Sequence, residues 1–250
     1  MNSKLLTIIS ICLNNRSGID KTVKSILDQK NSLVEYIVID GGSTDGSVEV
    51  VKSYQSSIDI FISEPDSGIY NAINKGIKLA SGKFIELVHS GDTLRPDVLP
   101  RILKTLANNS NFDGVYYGAI ITTLNNAFVN VVGPNYTQLV DIMIPHPATF
   151  VSKSLYEKYG LYDESYTISG DYKKFLQFYI HRVPFVWLDE IVVDFDLSGS
   201  SSNWELARKE NKRAKVELGI LPRDKFLNKK YQNLKNILRN VLDFFLEWKS

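Results

Sequence analysis

Runs of apolar residues alternate with amphipathic stretches through the first ninety residues of the chain. Leu5–Leu13 is almost continuously apolar, as expected for a parallel strand covered on both faces. Between the runs, apolar residues recur every three or four positions, which predicts helices. This alternation predicts a parallel sheet with right-handed crossovers. The predicted strands are Leu5–Leu13, Glu35–Asp40, Ile58–Ser63 and Phe84–Val88, and the predicted helices are Ile19–Gln29, one that carries Val48, Val51 and Tyr54, and Ile69–Ala80.

The pattern changes after Asp92. Arg95-Pro96 opens a predicted helix, and two β-rich runs joined through Thr122–Asn126 are expected to pair antiparallel. The sequence therefore predicts an α/β protein with a single mixed sheet flanked by helices. Further strands are predicted at Gly114–Ile121, Ala127–Val132, Val183–Leu188 and Ile191–Phe195, and further helices at Ser152–Tyr159 and Tyr172–His181.

Small polar residues and glycines mark the ends of two predicted helices. Ser43 or Thr44 is expected to cap the helix that carries Val48, because a hydroxyl can accept from the first backbone N–H groups. Ser81-Gly82 is expected to close the helix before Phe84 in the manner of a glycine C-cap.

The chain from residue 203 onward differs in composition, because basic residues outnumber acidic ones from Arg208 to Arg239. Apolar residues recur there in a four–three rhythm, which gives a predicted helix one apolar face. A basic amphipathic helix with Trp and Phe is typical of a segment that lies in an anionic membrane surface. The same stripe is typical of a helix packed on its own domain or on a partner chain, and both interpretations stay open. The stripe consists of Leu227, Tyr231, Leu234, Leu238, Val241, Phe245 and Trp248.

The composition narrows the class of protein. The 250 residues are 44% hydrophobic and 23% charged, which suits one α/β domain with a small appendage. The formal net charge of +1 gives no electrostatic case for nucleic acid. The single cysteine, Cys12, cannot form an internal disulfide, which favours a reducing compartment. Leu5–Leu13 is far short of the ~20 residues that span a bilayer, so we expect an intracellular protein without a transmembrane segment.

Each predicted strand of the first half ends in a polar loop. Ligands of open α/β sheets collect just beyond the carboxyl ends of the strands. Asp92, after the central strand, is therefore where a charged ligand or a metal ion is expected. Ser-Gly-Asp is also an ordinary β-turn sequence, so these residues alone leave both interpretations open. The loops are Asn14–Arg16, Asp40–Ser43, Glu64–Asp66 and His89–Asp92.

Four motifs follow one another in an order typical of one enzyme family. They are Ile37–Gly46 (IVIDGGSTDG), Ser63–Ile77 (SEPDSGIYNAINKGI), Phe84–Asp92, and Gly160–Glu164 followed by Gly170-Asp171-Tyr172. Together they resemble family 2 glycosyltransferases, which have the GT-A fold, and especially bacterial surface-polysaccharide members of the O-antigen and colanic-acid type. The likeness runs from about Leu5 to about Ser202. It implies a GT-A domain over residues 1–202, with a nucleotide-sugar-binding half (1–95) and an acceptor half (96–202), followed by a basic amphipathic tail (203–250).

The resemblance implies a UDP-sugar site in the first half. Leu13 and Asn14, with Asp40, would border the uracil and the ribose, and Asp40 would accept from a base N–H. A carboxylate at that position also suits the cap of a strand-end turn.

A second set of donor residues follows from the same resemblance. Asp66 and Asn74 would lie beside the nucleotide or the donor sugar, although Asn74 also suits a helix surface. Many relatives carry an arginine where Ile73 stands, so one diphosphate contact is unassigned in this chain.

The central motif departs from the family pattern. Relatives often read Asp-Ser-Asp-Asp where this chain has His89-Ser90-Gly91-Asp92. In the family pattern the position of Asp92 binds Mn²⁺ or Mg²⁺ between the two phosphates, and His89 and Gly91 count among the donor-binding residues. One carboxylate suffices, because Mg²⁺ at phosphate sites often uses one or two carboxylates plus waters. His89 is a candidate Mn²⁺ ligand or phosphate donor, and equally a structural histidine.

The acceptor side needs a base. The departing UDP gains negative charge, which a divalent cation stabilises, and the acceptor hydroxyl must lose a proton to a carboxylate on the opposite side. By resemblance these enzymes invert the anomeric centre by direct displacement. Asp171 is the residue expected to act as the base, and its alternative role is a helix N-cap.

Three further residues are assigned to the acceptor side by resemblance. His146 would contact the acceptor or the diphosphate. Asp163 and Glu164 are weaker candidates that would hold the acceptor loop together. The loop Gly199–Ser202 is a candidate lid over the donor, since serine and glycine keep it mobile.

The resemblance implies a metal-dependent inverting transferase. It would move a hexose, with galactose or glucose expected first, from a UDP-sugar to a polyprenyl-diphosphate-linked glycan. We expect a cytoplasmic protein that is peripheral at the inner face of the cell membrane, with its tail on the membrane surface and a homodimer left open. The alternative is a non-catalytic nucleotide-sugar-binding scaffold, which the incomplete metal motif favours. A nucleotidyltransferase would need a glycine-rich basic loop after the first strand, and Asn14–Gly18 does not supply one.

Overall fold

The computed structural model describes residues 4–109, 111–124, 127–133, 135–197 and 203–221. The first half contains β1 (Leu6–Cys12), α1 (Arg16–Leu27), β2 (Val34–Asp40), α2 (Ser47–Ser53), β3 (Ile60–Ser63), α3 (Ile69–Leu79) and β4 (Phe84–Leu87). Its four strands are parallel, as the alternating pattern predicts, and stand in the spatial order β3-β2-β1-β4. Within the described residues the chain forms one nine-stranded sheet.

The strand order of the first half reverses between β1 and β4. β2 and β3 lie on one side of β1, whereas β4 pairs with its other side. The carboxyl ends of β1 and β4 therefore form the point where the strand order reverses, which is where ligands bind in such sheets. The N–H of Ser90 donates to the carbonyl of Ile11 (3.1 Å), so the loop after β4 stays beside the end of β1.

The second half adds antiparallel strands. It contains β5 (Thr93–Leu94), α4 (Val98–Asn108), β6 (Val115–Leu124), β7 (Ala127–Val132), β8 (Thr149–Ser152), α5 (Lys153–Tyr159), α6 (Gly170–Ile180), β9 (Phe185–Asp196) and α7 (Trp204–Glu217), with 3₁₀ turns at Tyr136–Gln138 and His146–Ala148. β6 and β7 pair antiparallel as predicted. β8 pairs antiparallel with both β4 and β6, so it joins the two halves into one mixed sheet.

Three strands differ from the prediction: β9 is longer than predicted, and β5 and β8 are not predicted as strands. The two predicted late strands are one continuous strand, β9, whose register against β6 shifts near Ala119. A bulge of this kind bends a strand without ending it, and the resulting break in the polar pattern looks like a loop in sequence. β5 and β8 have only two and four residues, too few to show alternation.

Both predicted caps are wrong. Gly46 is the N-cap of α2 with φ 93°, and the turn before it is closed by Asp45, which accepts from the N–H of Ser47 (3.0 Å). α3 ends at its C-cap Ala80. Gly82 instead lies against the backbone of β1, where a Cβ atom would come within 2.5 Å of the nitrogen of Thr7. Glycine is needed there for close approach.

Apolar side chains fill both faces of the sheet. Alternate residues of β1 point to opposite sides, so Ile9 packs toward α3, α5 and α6 while Ile8 packs toward α1 and α4. This double burial explains the near-continuous apolar runs and confirms that they are covered strands. Cys12 is buried in the apolar layer that contains Ile8.

Two sequence expectations fall outside the described residues: the lid at Gly199–Ser202 and the apolar stripe from Leu227 to Trp248. Among the helices that the structure does describe, none has the length and hydropathy needed to cross a membrane.

Candidate active site

The loops after β1 and β2 are tied to each other. Asn14 adopts φ 50°, its N–H donates to the hydroxyl of Ser43 (2.8 Å), and its side-chain oxygen accepts from the N–H of Thr44 (2.9 Å). Leu13 beside it is 56% exposed. These bonds hold a fixed rim with one apolar side chain on it, at the edge where nucleotide contacts are expected.

Asp40 is fully buried at the end of β2. Its Oδ2 accepts from the N–H groups of Gly42 (3.1 Å) and Ser43 (2.9 Å) and from the hydroxyl of Ser63 (2.8 Å). Its Oδ1 is buried and has no hydrogen-bond partner among the described residues. Asp40 therefore caps the strand-end turn with one oxygen, and the other is an unmet acceptor, which is costly unless something donates to it.

Asp66 lies against the loop that follows β2. Its Oδ1 accepts from the N–H of Gly68 (2.9 Å), and its Oδ2 occupies the space that a Cβ atom on Gly41 would need. The absence of a side chain at Gly41 therefore brings this carboxylate against the backbone that follows Asp40.

Asn74 is buried and bonded to the loop that precedes α6. Its amide nitrogen donates to the carbonyl of Tyr162 (2.9 Å) and to Oε1 of Glu164 (2.8 Å), and its oxygen accepts from the N–H of Tyr162 (2.9 Å). These bonds account for both amide protons and leave the side chain little capacity for a nucleotide or a sugar.

The turn after β4 is held in place by α1. The hydroxyl of Thr22 donates to the carbonyl of Asp92 (2.7 Å) and accepts from the N–H of Gly91 (3.1 Å), and Asn15 donates to the carbonyl of Ser90 (3.0 Å). Gly91 has φ 110°, a conformation that side chains disfavour. The motif that contains Asp92 is thus a preformed turn.

The carboxylate of Asp92 contacts the backbone of Asp196. It is 5% exposed, and its Oδ1 accepts from the N–H of Asp196 (3.2 Å) at the end of β9. Burial raises the pKa of Asp92 to about 7, and the charge of Asp196 adds to this. The described residues contain no group of three or more His, Cys, Asp or Glu arranged for a metal ion. The carboxylate of Asp92, with Asp196 next to it, nevertheless suits a hard cation whose other ligands are phosphate oxygens and waters.

His89 is a neutral group facing a second histidine. Burial, with His146 nearby, lowers the pKa of His89 to about 3. Its Nδ1 is buried without a hydrogen-bond partner among the described residues, and its ring centroid lies 6.1 Å from that of His146. Burial thus favours the neutral form of the His89 ring.

Asp171 stands in the first turn of α6. The N-cap of this helix is Ser169, so the structure does not use Asp171 as the cap. Its Oδ1 lies 3.3 Å from the hydroxyl of Tyr70 and accepts from the N–H of Tyr172 (2.8 Å), while its Oδ2 lies 3.8 Å from Nδ1 of His146. The side chain keeps 24% of its surface exposed.

The electrostatic surroundings of Asp171 suit a base that works near neutral pH. Burial raises the pKa of Asp171 to about 6, against the lowering effect of hydrogen bonds from the N–H of Tyr172 and the hydroxyl of Tyr70. At pH 7 the carboxylate is thus mostly ionised while remaining more basic than an ordinary aspartate.

The other acceptor-side residues hold the loop before α6. Asp163 accepts from the N–H of Ser165 (2.9 Å) and pairs with Lys173 (2.6 Å). Glu164 accepts from Asn71 and Asn74. His146 is buried, with its Nε2 3.0 Å from the hydroxyl of Tyr162.

Three residues of this site carry no sequence signal of their own. Tyr70 lies inside the motif SEPDSGIYNAINKGI but has the spacing of a core residue. Asp196 ends a strand without any motif. Glu210 on α7 accepts from the N–H groups of Thr167, Ile168 and Ser169 at 2.8–2.9 Å. Each joins segments at least forty residues apart, a relation that local patterns do not encode.

Comparison with known proteins gives the family. Residues 7–159 match the description Glycosyl transferase family 2. An uncharacterised glycosyltransferase of Mycobacterium tuberculosis is 30% identical over 207 residues, which is 80% of this chain and 78% of that protein. The putative teichuronic acid biosynthesis glycosyltransferase TuaG of Bacillus subtilis is 31% identical over 109 residues, which is 42% of this chain and 43% of TuaG.

Solved structures agree on the fold. S. aureus TarS 1-349 in complex with UDP-GlcNAc has a TM-score of 0.70 at 16% identity, over 88% of this chain and 68% of that one. In another TarS 1-349 crystal structure the chain spans only 60% of the length. The mannosyltransferase PcManGT of Pyrobaculum calidifontis, in complex with GDP-Man and Mn²⁺, has a TM-score of 0.65 at 12% identity, over 88% of this chain and 65% of that one. The mixed sheet and the matched sequence together show that the chain belongs to glycosyl transferase family 2 and has a GT-A-type fold.

Proposed function

We propose that the chain is an inverting hexosyltransferase that moves galactose or glucose from a UDP-sugar to a lipid-linked glycan during synthesis of a bacterial surface polysaccharide such as O-antigen. The observation that carries this proposal is Asp171, a partly exposed carboxylate with a raised pKa at the start of α6. Its Oδ2 lies 3.8 Å from Nδ1 of His146, whose ring centroid lies 6.1 Å from that of His89 in the turn of Asp92. The proposal requires that this base and the phosphate-side carboxylate of Asp92 border one site.

The donor side is supported by the loops at the ends of β1 and β2. The unpaired Oδ1 of Asp40 is an acceptor suited to the N–H of uracil, with Leu13 and Asn14 on the rim. Asp66 would lie next to the ribose or the donor sugar. The complex of TarS with UDP-GlcNAc shows that a protein of this fold binds such a donor.

The metal side is assigned to Asp92, with Asp196 as the second carboxylate. A divalent cation held there, Mn²⁺ or Mg²⁺, would supply Lewis-acid stabilisation of the charge on the departing UDP. The presence of Mn²⁺ in the PcManGT complex supports this assignment. Gly91 lets the backbone of the turn approach the diphosphate, and His89 contributes a neutral ring.

The acceptor side follows from the chemistry of displacement. Asp171 takes the proton of the acceptor hydroxyl, the acceptor oxygen bonds to the anomeric carbon, and the bond from that carbon to the phosphate oxygen breaks with its electrons leaving on UDP. His146 lines the path to Asp171, while Asp163 and Glu164 fix the loop in front of it.

A lipid-linked acceptor and a peripheral location are supported by the end of the chain. On α7 the side chain of Trp204 is 81% exposed, and Arg208 and Lys212 are exposed on the same helix. A basic face with an exposed indole is typical of a helix at an anionic membrane surface. Removal of the residues after about Lys225 should shift the protein from membrane to soluble fractions, and an unchanged distribution would favour packing of the tail on protein.

The decisive experiment is UDP release from UDP-galactose and UDP-glucose with Mn²⁺ and a GlcNAc-diphosphate-lipid analogue. We expect turnover by the wild type and a loss of about 10²–10⁴-fold in Asp171→Asn, with UDP binding retained. A wild type that binds UDP and turns over with no acceptor in a lipid-linked panel would instead identify a nucleotide-sugar-binding scaffold.

A further inference from the structure

We propose that Tyr70 is a positioning residue for Asp171, and that its hydroxyl fixes the start of α6 and orients the carboxylate. The inference rests on the proposed function, in which Asp171 is the base. Tyr70 stands on α3 in the nucleotide half, one hundred and one positions before the carboxylate that it touches.

The hydroxyl of Tyr70 forms hydrogen bonds with the first residues of α6. It accepts from the N–H of Gly170 (2.8 Å) and lies 3.3 Å from the N–H of Asp171. Its single proton has two acceptors within reach, the carbonyl of Ile168 (2.5 Å) and, as the longer contact, Oδ1 of Asp171 (3.3 Å). The first N–H groups of a helix lack partners within the helix, so this hydroxyl completes the helix start and fixes the backbone that carries the base.

The ring of Tyr70 is held in place by neighbours on both of its sides. It is buried and stacks on the ring of Tyr162, with centroids 5.7 Å apart and planes 16° from parallel. On its other side it lies against Gly170, where a Cβ atom would come within 2.7 Å of the ring carbon that bears the hydroxyl. Only glycine at that position leaves room for the ring, so the hydroxyl is held where the carboxylate needs it.

The remaining groups around Asp171 do not replace this contact. Nδ1 of His146 is 3.8 Å away, beyond hydrogen-bond distance, and Tyr162 directs its hydroxyl to His146 and Tyr156. Glu210 of α7 adds a like charge that opposes ionisation, while the N–H of Tyr172 favours it. Among the described residues, Tyr70 is the one side chain within hydrogen-bond distance of the carboxylate.

A role in positioning predicts a specific change in ionisation. Tyr70→Phe keeps the stacked ring and removes only the hydroxyl. A carboxylate that loses a hydrogen bond to its charged form becomes easier to protonate, so the pKa of Asp171 should rise by about one unit. The acid limb of kcat/KM against pH should move upward with it, with a larger effect on kcat than on the KM for UDP-sugar.

Tyr54→Phe is the matched control. The hydroxyl of Tyr54 also donates to an aspartate, Asp20 (2.7 Å), on helices of the nucleotide half that do not contact Asp171. This variant should leave the pKa of Asp171 and the rate profile unchanged. Gly170→Ala is a second probe, because it retains the hydroxyl but displaces the ring, and it should move the pKa in the same direction as Tyr70→Phe.

The test is a pH titration of the full-length protein with ¹³C-labelled aspartate, in which Asp171→Asn identifies the carboxyl signal of residue 171. The same variants are then assayed for UDP release from UDP-galactose and UDP-glucose with the lipid analogue. An unchanged titration in both Tyr70→Phe and Gly170→Ala would overturn the inference. Because the titration needs no turnover, it stands apart from the proposed function, which fails if Asp171→Asn retains full transfer.

Discussion

Asn74 and Tyr162 are joined by two reciprocal hydrogen bonds, from the amide nitrogen of Asn74 to the carbonyl of Tyr162 and from the N–H of Tyr162 to the amide oxygen, each 2.9 Å long. An asparagine side chain that bonds a backbone in this way takes the place of a neighbouring strand. The pair attaches the loop in front of Asp171 to α3. The position of Asp171 thus depends on a residue of α3.

Asn74→Ala should destabilise the protein without weakening UDP binding. The N–H and the carbonyl of Tyr162 would lose their partner in a buried place, at a cost of about 1–3 kcal/mol for each unpaired group. Urea unfolding and UDP titration measure the two effects. Asn71→Ala is the matched control, because it removes a single exposed bond to Glu164. A large loss of UDP affinity with unchanged stability would instead support the assignment of Asn74 to the donor site.

Transfer should depend on pH through Asp171. Burial raises the pKa of this carboxyl to about 6, and only the ionised form accepts a proton. At saturating Mn²⁺, which would keep the carboxylate of Asp92 ionised, the value of kcat/KM should therefore fall about tenfold per pH unit below pH 6 and level off above it. Rates measured between pH 5 and 8 with Mn²⁺ check this. A plateau that continues to pH 5 would show that another group is the base.

Asp92→Ala should abolish metal-dependent transfer and leave the fold intact. The carboxylate is held in a turn whose backbone bonds to Thr22 do not involve it, so its loss removes a ligand without opening the turn. Circular dichroism checks the fold, and UDP release with Mn²⁺ or EDTA checks the activity. Full activity of the variant in EDTA would refute the metal assignment. Asp196→Asn should weaken the response to Mn²⁺ in the same assay.

Glu86→Met should stabilise the protein, and increasingly so as the pH rises. Both carboxyl oxygens of Glu86 are buried without partners among the described residues, and burial raises its pKa well above the ordinary 4.5. The folded protein keeps a proton that the unfolded chain releases above pH 4.5, so this residue lowers stability with rising pH, by at most roughly 1.4 kcal/mol per unit.

The difference in free energy of unfolding between wild type and Glu86→Met, measured from pH 4 to 8, isolates this contribution from those of other carboxyls. We expect a gain of about 1–3 kcal/mol near neutral pH. Equal pH slopes in the two proteins would show that Glu86 finds a partner in solution.

The sequence predicts the parallel half of the fold well, because strands buried on both faces leave long apolar runs and each is followed by an amphipathic helix. It fails where elements are short or bent. β8 is the strand that joins the halves, yet Thr149–Ser152 has too few residues to alternate. β9 is read as two strands, because its register shift interrupts the pattern.

Sequence reasoning locates the candidate site less completely. Asp40, Asp92 and Asp171 stand out because they occupy motif positions after strands or at a helix start. Tyr70 and Asp196 do not, because a tyrosine on a helix face or an acidic residue at a strand end has many ordinary explanations. Their roles arise from contacts across about one hundred residues, which only the folded chain brings together.

The carboxylate of Glu210 receives three consecutive backbone N–H groups directly ahead of α6. A fragment that stops at residue 202 would leave those N–H groups without their acceptor. It would also remove a contact that holds the start of α6 beside Tyr70. A truncation for crystallisation or display should therefore retain α7, because this helix supports the loop directly ahead of Asp171 without touching that residue's carboxylate.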